Sequence, residues 1–92
     1  MKTIKVTQQH IDKGQKKTTT CPVALALKDE GYDKAHVGST SICLYDPDKI
    51  DYFCEWNLHQ WIIAFDLDES VKPFEFYLHS NKKEAEIIKQ GV

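Results

Sequence analysis

The chain has 92 residues, 41% of them hydrophobic and 28% charged, with a formal net charge of −2. This length allows one domain with one modest core, and the composition is that of a globular chain. All 12 basic residues are lysines. We do not expect a general nucleic-acid binder, because such proteins carry a strongly basic face and often use arginine for bidentate contacts.

The cysteines are Cys21, Cys43 and Cys54, and they form no C-x-x-C pair. With an odd cysteine count and no apolar signal stretch after Met1, we expect free thiols and a cytoplasmic protein. No apolar run approaches the roughly 20 residues that cross a bilayer, so no membrane association is expected.

The N-terminal part of the chain predicts a short strand and two helices. Residues 3–6 alternate polar and apolar, as a half-buried strand does. Thr7 then suits the N-cap of a helix over 8–13, with Gly14 as its C′ residue. After a polar loop over 15–20, Thr20 or Cys21 caps a second helix that has Pro22 at its first position. Gly31 ends it.

The remainder predicts a hairpin, a third helix and a last strand. Residues 34–45 and 50–56 have strand composition, and Asp46-Pro47-Asp48-Lys49 favours a type I turn between them. Asn57 caps a helix whose apolar residues recur at i, i+3, i+4 and i+7. Residues 71–78 form a strand, and residues 80–90 form a charged terminal helix or a frayed tail.

These elements predict a single small α+β domain. Its order is β-α-α-β-β-α-β, with a mainly antiparallel sheet packed on helices. The whole chain, 1–92, is expected to be one domain whose core spans about 3–78, with 79–92 as the terminal helix or tail.

Four short segments resemble those of a family of small bacteriophage proteins, most of them without an assigned function. The opening is His10-Ile11-Asp12-Lys13-Gly14 followed by Cys21-Pro22-Val23-Ala24-Leu25-Ala26-Leu27, similar to the family's H-I-x-x-G … C-P-x-A-L-A-L. The later motifs are Trp61-Ile62-Ile63-Ala64-Phe65-Asp66 and Val71-Lys72-Pro73-Phe74-Glu75-Phe76. Related sequences often have another cysteine before Cys-Pro. This chain has Lys17-Thr18-Thr19-Thr20 there, so its residues do not favour a metal site.

The loop before the second helix is the strongest candidate site. Lys16 and Lys17 precede the first helical N–H groups, and Thr18, Thr19 and Thr20 add three hydroxyls. An anion there would meet the positive end of the helix dipole. His10 is expected to face the same place. The alternative is a capped helix with a solvated loop.

Catalysis and metal binding are less well supported. Cys21 at a helix N-terminus could be a nucleophile, but no spacing to a histidine is recognisable, and cysteine is often simply buried. Residues 46–57 lack the glycine and glutamate of a calcium loop. We therefore expect no enzyme activity, no cofactor and no metal.

Aromatic residues are plentiful for so small a core. Trp61, Phe65, Phe74 and Phe76 are expected in the core, whereas Tyr45 and Trp56 flank the hairpin and are expected on an exposed surface.

Two functions remain open. The first is a non-enzymatic homo-oligomer that binds a small, nucleotide-like anion. The phage resemblance implies sequestration of an immune signal, such as an ADP-ribose derivative or a cyclic nucleotide, in the host cytoplasm as an anti-defence role. The second is an inhibitor or accessory factor that docks on a host protein through the hairpin. The predicted ligand-binding residues are His10, Lys16, Lys17, Thr18, Thr19, Thr20, Cys21, Tyr45 and Trp56.

Overall fold

The computed structural model describes residues 2–45 and 47–90. Its strands are β1 (Lys2–Val6), β2 (His36–Val37), β3 (Ser41–Tyr45), β4 (Lys49–Cys54), β5 (Phe74–His79) and β6 (Glu84–Gln90). Its helices are α1 (Gln8–Lys13), α2 (Pro22–Asp29) and α3 (Trp56–Asp66). The prediction of a small α+β fold is confirmed. Asp46 of the predicted turn and residues 91 and 92 of the predicted tail lie outside the described residues.

The six strands form one sheet in the order β1-β5-β6-β4-β3-β2. Neighbouring strands are antiparallel, as predicted, except that β4 and β6 run parallel. That parallel join is short, because it pairs Phe53 with Glu84 and Cys54 with Ala85 only. It divides the sheet into a terminal half (β1, β5 and β6), built from both ends of the chain, and a central half (β4, β3 and β2).

Of the described elements, helices α2 and α3 pack on one face of the sheet. Alternate residues on each strand are buried, such as Ile4 and Val6 on β1 and Ile42 and Leu44 on β3. They join one hydrophobic cluster with the inward sides of α2 and α3. The residues between them point to the opposite face, which we call the open face. Such one-sided burial is common in antiparallel sheets.

The aromatic core is largely as predicted. Trp61, Phe74 and Phe76 are buried, and Phe65 is partly buried against them. The Trp61 ring lies 4.6 Å from that of Phe74 and 6.0 Å from that of Phe65, centroid to centroid. The contact between Trp61 and Phe74 packs α3 on the terminal half of the sheet, whereas Trp61 and Phe65 stack within α3.

The prediction of a terminal helix or tail over 80–90 is wrong, because β6 occupies most of it. Ala85 is buried on the inner face and Ile87 packs against the core, while Glu84 and Glu86 lie on the open face. This alternation has a period of two, which is the strand pattern. The many charged residues obscured it.

The helix boundaries confirm some predictions and correct others. Thr7 caps α1, Cys21 caps α2, and Gly31 ends α2 with φ of +98°. Asn57 does not cap α3. Glu55 does, and its carboxylate accepts hydrogen bonds from the backbone N–H groups of Asn57 (2.8 Å) and Leu58 (2.9 Å). Trp56, expected at the end of a strand, is therefore the first residue of α3.

Gly14 ends α1 for a reason other than the predicted one. Its φ is −67°, which is extended backbone and not the left-handed conformation of a C′ glycine. The residue must be small, because a Cβ atom there would lie 2.5 Å from Cδ of Pro22. None of the described helices is long and apolar enough to cross a membrane.

Candidate functional site

The loop between α1 and α2 is a closed, hydrogen-bonded turn. The Gln15 N–H donates to the Thr20 carbonyl at 2.9 Å, and the Cys21 N–H donates to the Lys17 carbonyl at 2.9 Å. The Val37 N–H of β2 donates to the Thr18 carbonyl at 2.8 Å. Backbone bonds therefore place this loop against the edge of the central half.

Cys21 acts as a cap at the start of α2. Its Sγ accepts a hydrogen bond from the Ala24 N–H at 3.4 Å, and its carbonyl accepts one from Leu25. The side chain is buried, and burial raises the pKa of the thiol. A nucleophilic cysteine needs a lowered pKa, so this environment favours the capping role. The sulfur also occupies the position at which an anion would meet the Ala24 N–H.

A cleft of about 250 Å³ lies in front of Cys21, and we call it the first cleft. Lys16, Lys17 and Thr18 form one wall. The other walls are Val37, Gly38 and Ser39 from the β2–β3 turn, and Ile62 and Asp66 from α3. Lys16 forms an ion pair with Asp68, Nζ to Oδ2 at 2.6 Å. Because Asp68 pairs with Lys16 and Asp66 adds a carboxylate to the lining, Lys17 is the main source of positive charge in the first cleft.

His10 does not lie in the first cleft. Its Nδ1 accepts from the Thr7 N–H at 3.0 Å, and its Nε2 lies 2.6 Å from Oδ2 of Asp29, in the last turn of α2. It lines a separate cleft with Lys13 and Lys28. The expectation that it faces the start of α2 is wrong, since α1 runs back beside the other end of that helix.

Thr19 and Thr20 are also outside the lining of the first cleft. The Thr20 hydroxyl donates to Oε1 of Gln15 at 3.2 Å. The structure thus brings together Lys16, Lys17, Thr18 and Cys21, and it separates His10, Thr19 and Thr20 from them.

Tyr45 and Trp56 are exposed, as predicted, with 43% and 69% of their surface accessible. They lie at opposite ends of the β3–β4 hairpin, because Tyr45 pairs with Lys49 while Trp56 follows the far end of β4. The Trp56 ring lies 5.7 Å from that of His59, whose Nδ1 is 2.7 Å from the Ser39 carbonyl. Neither aromatic residue lines the first cleft.

Phe53 was missed by the sequence analysis, although it is 70% exposed. It lies on the open face, opposite Ser41 on β3 and Glu84 on β6. The signal was present: Phe53 shares the phase of the charged Lys49 and Asp51, while Ile50 and Tyr52 point inward. We use the name hairpin surface for Phe53, on the open face of β4, together with Trp56, at the start of α3.

No protein-family model, curated protein or solved structure matches this chain. The resemblance to small phage proteins therefore remains a prediction.

Proposed function

We propose that this chain is a non-enzymatic binding protein that recognises a partner protein through the hairpin surface. The observation that supports this is the exposure of Phe53 and Trp56, at 70% and 69%. Burying one such ring contributes roughly 1.5–3 kcal/mol. Large aromatic side chains are also the residues that most often dominate the energy of protein interfaces.

The backbone that carries the hairpin surface is held by hydrogen bonds. The Phe53 N–H donates to the Lys83 carbonyl at 2.8 Å, and β3 pairs with the other side of β4. Trp56 is fixed by the first turn of α3 and by its contact with His59. A preorganised surface loses little conformational entropy on binding. Polar residues beside it, Ser41 and Glu84, supply the polar rim that interfaces commonly have.

The test is a Phe53→Ser/Trp56→Ser double variant, with Leu67→Ser as the control. Leu67 is a comparably exposed apolar residue, at 64%, beyond the other end of α3. The parent and the control should retain the same partner in affinity purification from the native cells, and the double variant should lose it. Circular dichroism should show all three folded. Equal retention by the double variant, or no partner with the parent, would contradict the proposal.

A small anionic ligand in the first cleft is a second candidate. Lys17, Thr18 and Ser39 converge there from two separate segments, which favours recognition of an oxyanion. The volume of about 250 Å³ is below the roughly 300–1,000 Å³ of ligand pockets. A nucleotide-sized molecule would thus need walls from a second copy of the chain. The phage resemblance suggests a signalling nucleotide sequestered by such an oligomer.

Calorimetry with cyclic dinucleotides and ADP-ribose derivatives tests this candidate. Charged hydrogen bonds contribute about 1.5–3 kcal/mol, so Lys16→Ala/Lys17→Ala should weaken binding at least about tenfold. Light scattering should report an oligomer at tens of micromolar. A monomer, or equal binding by the double variant, would remove this candidate without affecting the hairpin surface.

A further inference from the structure

We propose that a second groove, on the opposite side of α3 from the first cleft, binds a purine mononucleotide. The groove has a volume of about 560 Å³, within the roughly 300–1,000 Å³ range of ligand pockets. Asn57, Gln60, Trp61 and Ala64 line it from α3, and Val71 and Lys72 line it from the segment that leads to β5. This site is independent of the hairpin surface.

The floor of the groove is apolar and fixed. Trp61 is only 6% exposed, and its Nε1–H donates to the Lys72 carbonyl at 2.9 Å. This bond sets the spacing between α3 and the 70–72 segment. Ala64 and Val71, both partly buried, complete the floor. A planar ring placed there would displace water from hydrocarbon on its underside, which favours binding.

The rim supplies amide groups in a regular arrangement. Asn57 and Gln60 lie one turn apart on α3, so their carboxamides face the groove side by side. Among the described residues, neither carboxamide has a protein hydrogen-bond partner. A carboxamide offers a donor and an acceptor together and can bond both N6 and N7 of adenine. The rim therefore fits the edge of a purine base better than it fits a purely apolar ligand.

The charge of the groove indicates which charged group should be attached to the bound base. Lys72 contributes an ammonium group, and no carboxylate belonging to the described residues lines the groove. The first cleft differs, because Asp66 lines it beside its lysines. One uncompensated cation next to a site for a base suits a ligand with one phosphate group.

Fluorescence of Trp61 provides a direct test. The chain has two tryptophans, so Trp56→Phe leaves Trp61 as the single reporter, in the groove floor. Adenosine 5′-monophosphate should change its emission saturably, inorganic phosphate should not, and adenosine should bind about tenfold more weakly because the contact with Lys72 is lost.

Matched variants locate the site. In the Trp56→Phe background, Gln60→Ala and Lys72→Ala should each weaken the nucleotide about tenfold. Gln9→Ala and Lys34→Ala, which are exposed positions elsewhere on the surface, should leave its affinity unchanged. Three results would overturn the proposal: no saturable change up to a few millimolar nucleotide, unchanged affinity in the groove variants, or loss of affinity in Lys34→Ala. Saturable binding of a short acetylated peptide amide, with none of the nucleotide, would also overturn it.

Discussion

The terminal and central halves of the sheet use their open faces differently. In the terminal half, Lys5, Glu75 and Lys89 are aligned across three strands with alternating charge. Nearby, Nε2 of His79 lies 2.7 Å from Oε1 of Glu86, and the His79 ring meets that of Tyr77 edge to face. In the central half the open face carries Phe53 and Tyr45, both exposed.

The difference indicates which half is available to a partner. Polar residues that pair with one another suit a surface that stays in water. Covering an exposed aromatic ring, in contrast, lowers the free energy because apolar surface leaves the water. The terminal half thus closes the sheet, and the central half carries the exposed rings of Phe53 and Tyr45.

The largest change in the free energy of unfolding is expected when a phenylalanine is replaced on the buried face of the sheet, in contrast to a phenylalanine on the open face. Phe76 is fully buried in the terminal half, so Phe76→Ala should reduce the free energy of unfolding by about 3–5 kcal/mol. Phe53→Ala, on the open face, should change it by no more than about 0.5 kcal/mol. Urea denaturation of the two variants measures both values. Similar losses would show that the open face around Phe53 is part of the core.

Glu55→Ala tests the join between the halves. The Glu55 carboxylate caps α3 and also accepts from the Ile87 N–H of β6 at 3.1 Å, while its own N–H donates to the Ala85 carbonyl at 2.9 Å. Loss of the α3 cap, together with an unpaired Ile87 N–H, should lower the free energy of unfolding by about 2–4 kcal/mol. Glu69→Ala, at an exposed position, is the control. Hydrogen exchange should speed up first at β6, and unchanged exchange there would argue against a bridging role.

Gly14→Ala tests how tightly the α1–α2 loop packs. A Cβ atom at Gly14 would lie 2.5 Å from Pro22, so the free energy of unfolding of this variant should be lower by about 1–3 kcal/mol. Gly38→Ala, in the central half, is its matched control, because the nearest atom there is at 3.6 Å. Thermal unfolding should separate the two variants. Equal melting temperatures would show that the α1–α2 loop accommodates the added Cβ atom without loss of stability.

Alkaline pH should destabilise the fold through Cys54. Burial, with smaller contributions from Glu55 and Cys21, raises the pKa of the Cys54 thiol from 9.0 to about 12. Between these values the unfolded chain has lost the proton and the folded chain keeps it, so stability decreases as pH rises. The slope should be up to about 1 kcal/mol per pH unit, given the partial exposure of the thiol. Urea denaturation from pH 8 to 11 should show a shallower slope for Cys54→Ala than for Cys43→Ser.

Elements with local signals could be predicted, and those that depend on distant partners could not. The α2 boundaries follow from Cys21, Pro22 and Gly31, each acting on its own neighbours. β6 was missed because its charged residues look helical until the distant pairing with β5 and β4 is known. Glu55 was missed as a cap because the Pro47 turn and the β4 composition predicted a longer strand.

The site predictions show the same limit. Thr18 and Lys17 could be associated with the start of α2 because they are adjacent to it in the chain. Ser39 and Asp66, the opposite walls of the first cleft, come from segments about 20 and 50 residues away. His10 was misplaced because sequence proximity does not reveal that α1 reverses direction along α2.

The pairing of β1 with β5 also affects the order of events during synthesis on the ribosome. Lys2–Val6 emerges long before its partner strand, Phe74–His79, is made. α2 and the β2–β4 meander have partners close in sequence and can form while the chain is still growing. Ile4 and Val6 meanwhile have no strand to cover them, and closing so long a loop is slow. A ribosome-bound chain halted before Phe74 should therefore expose Lys2–Val6 to protease, and the released chain should protect this strand.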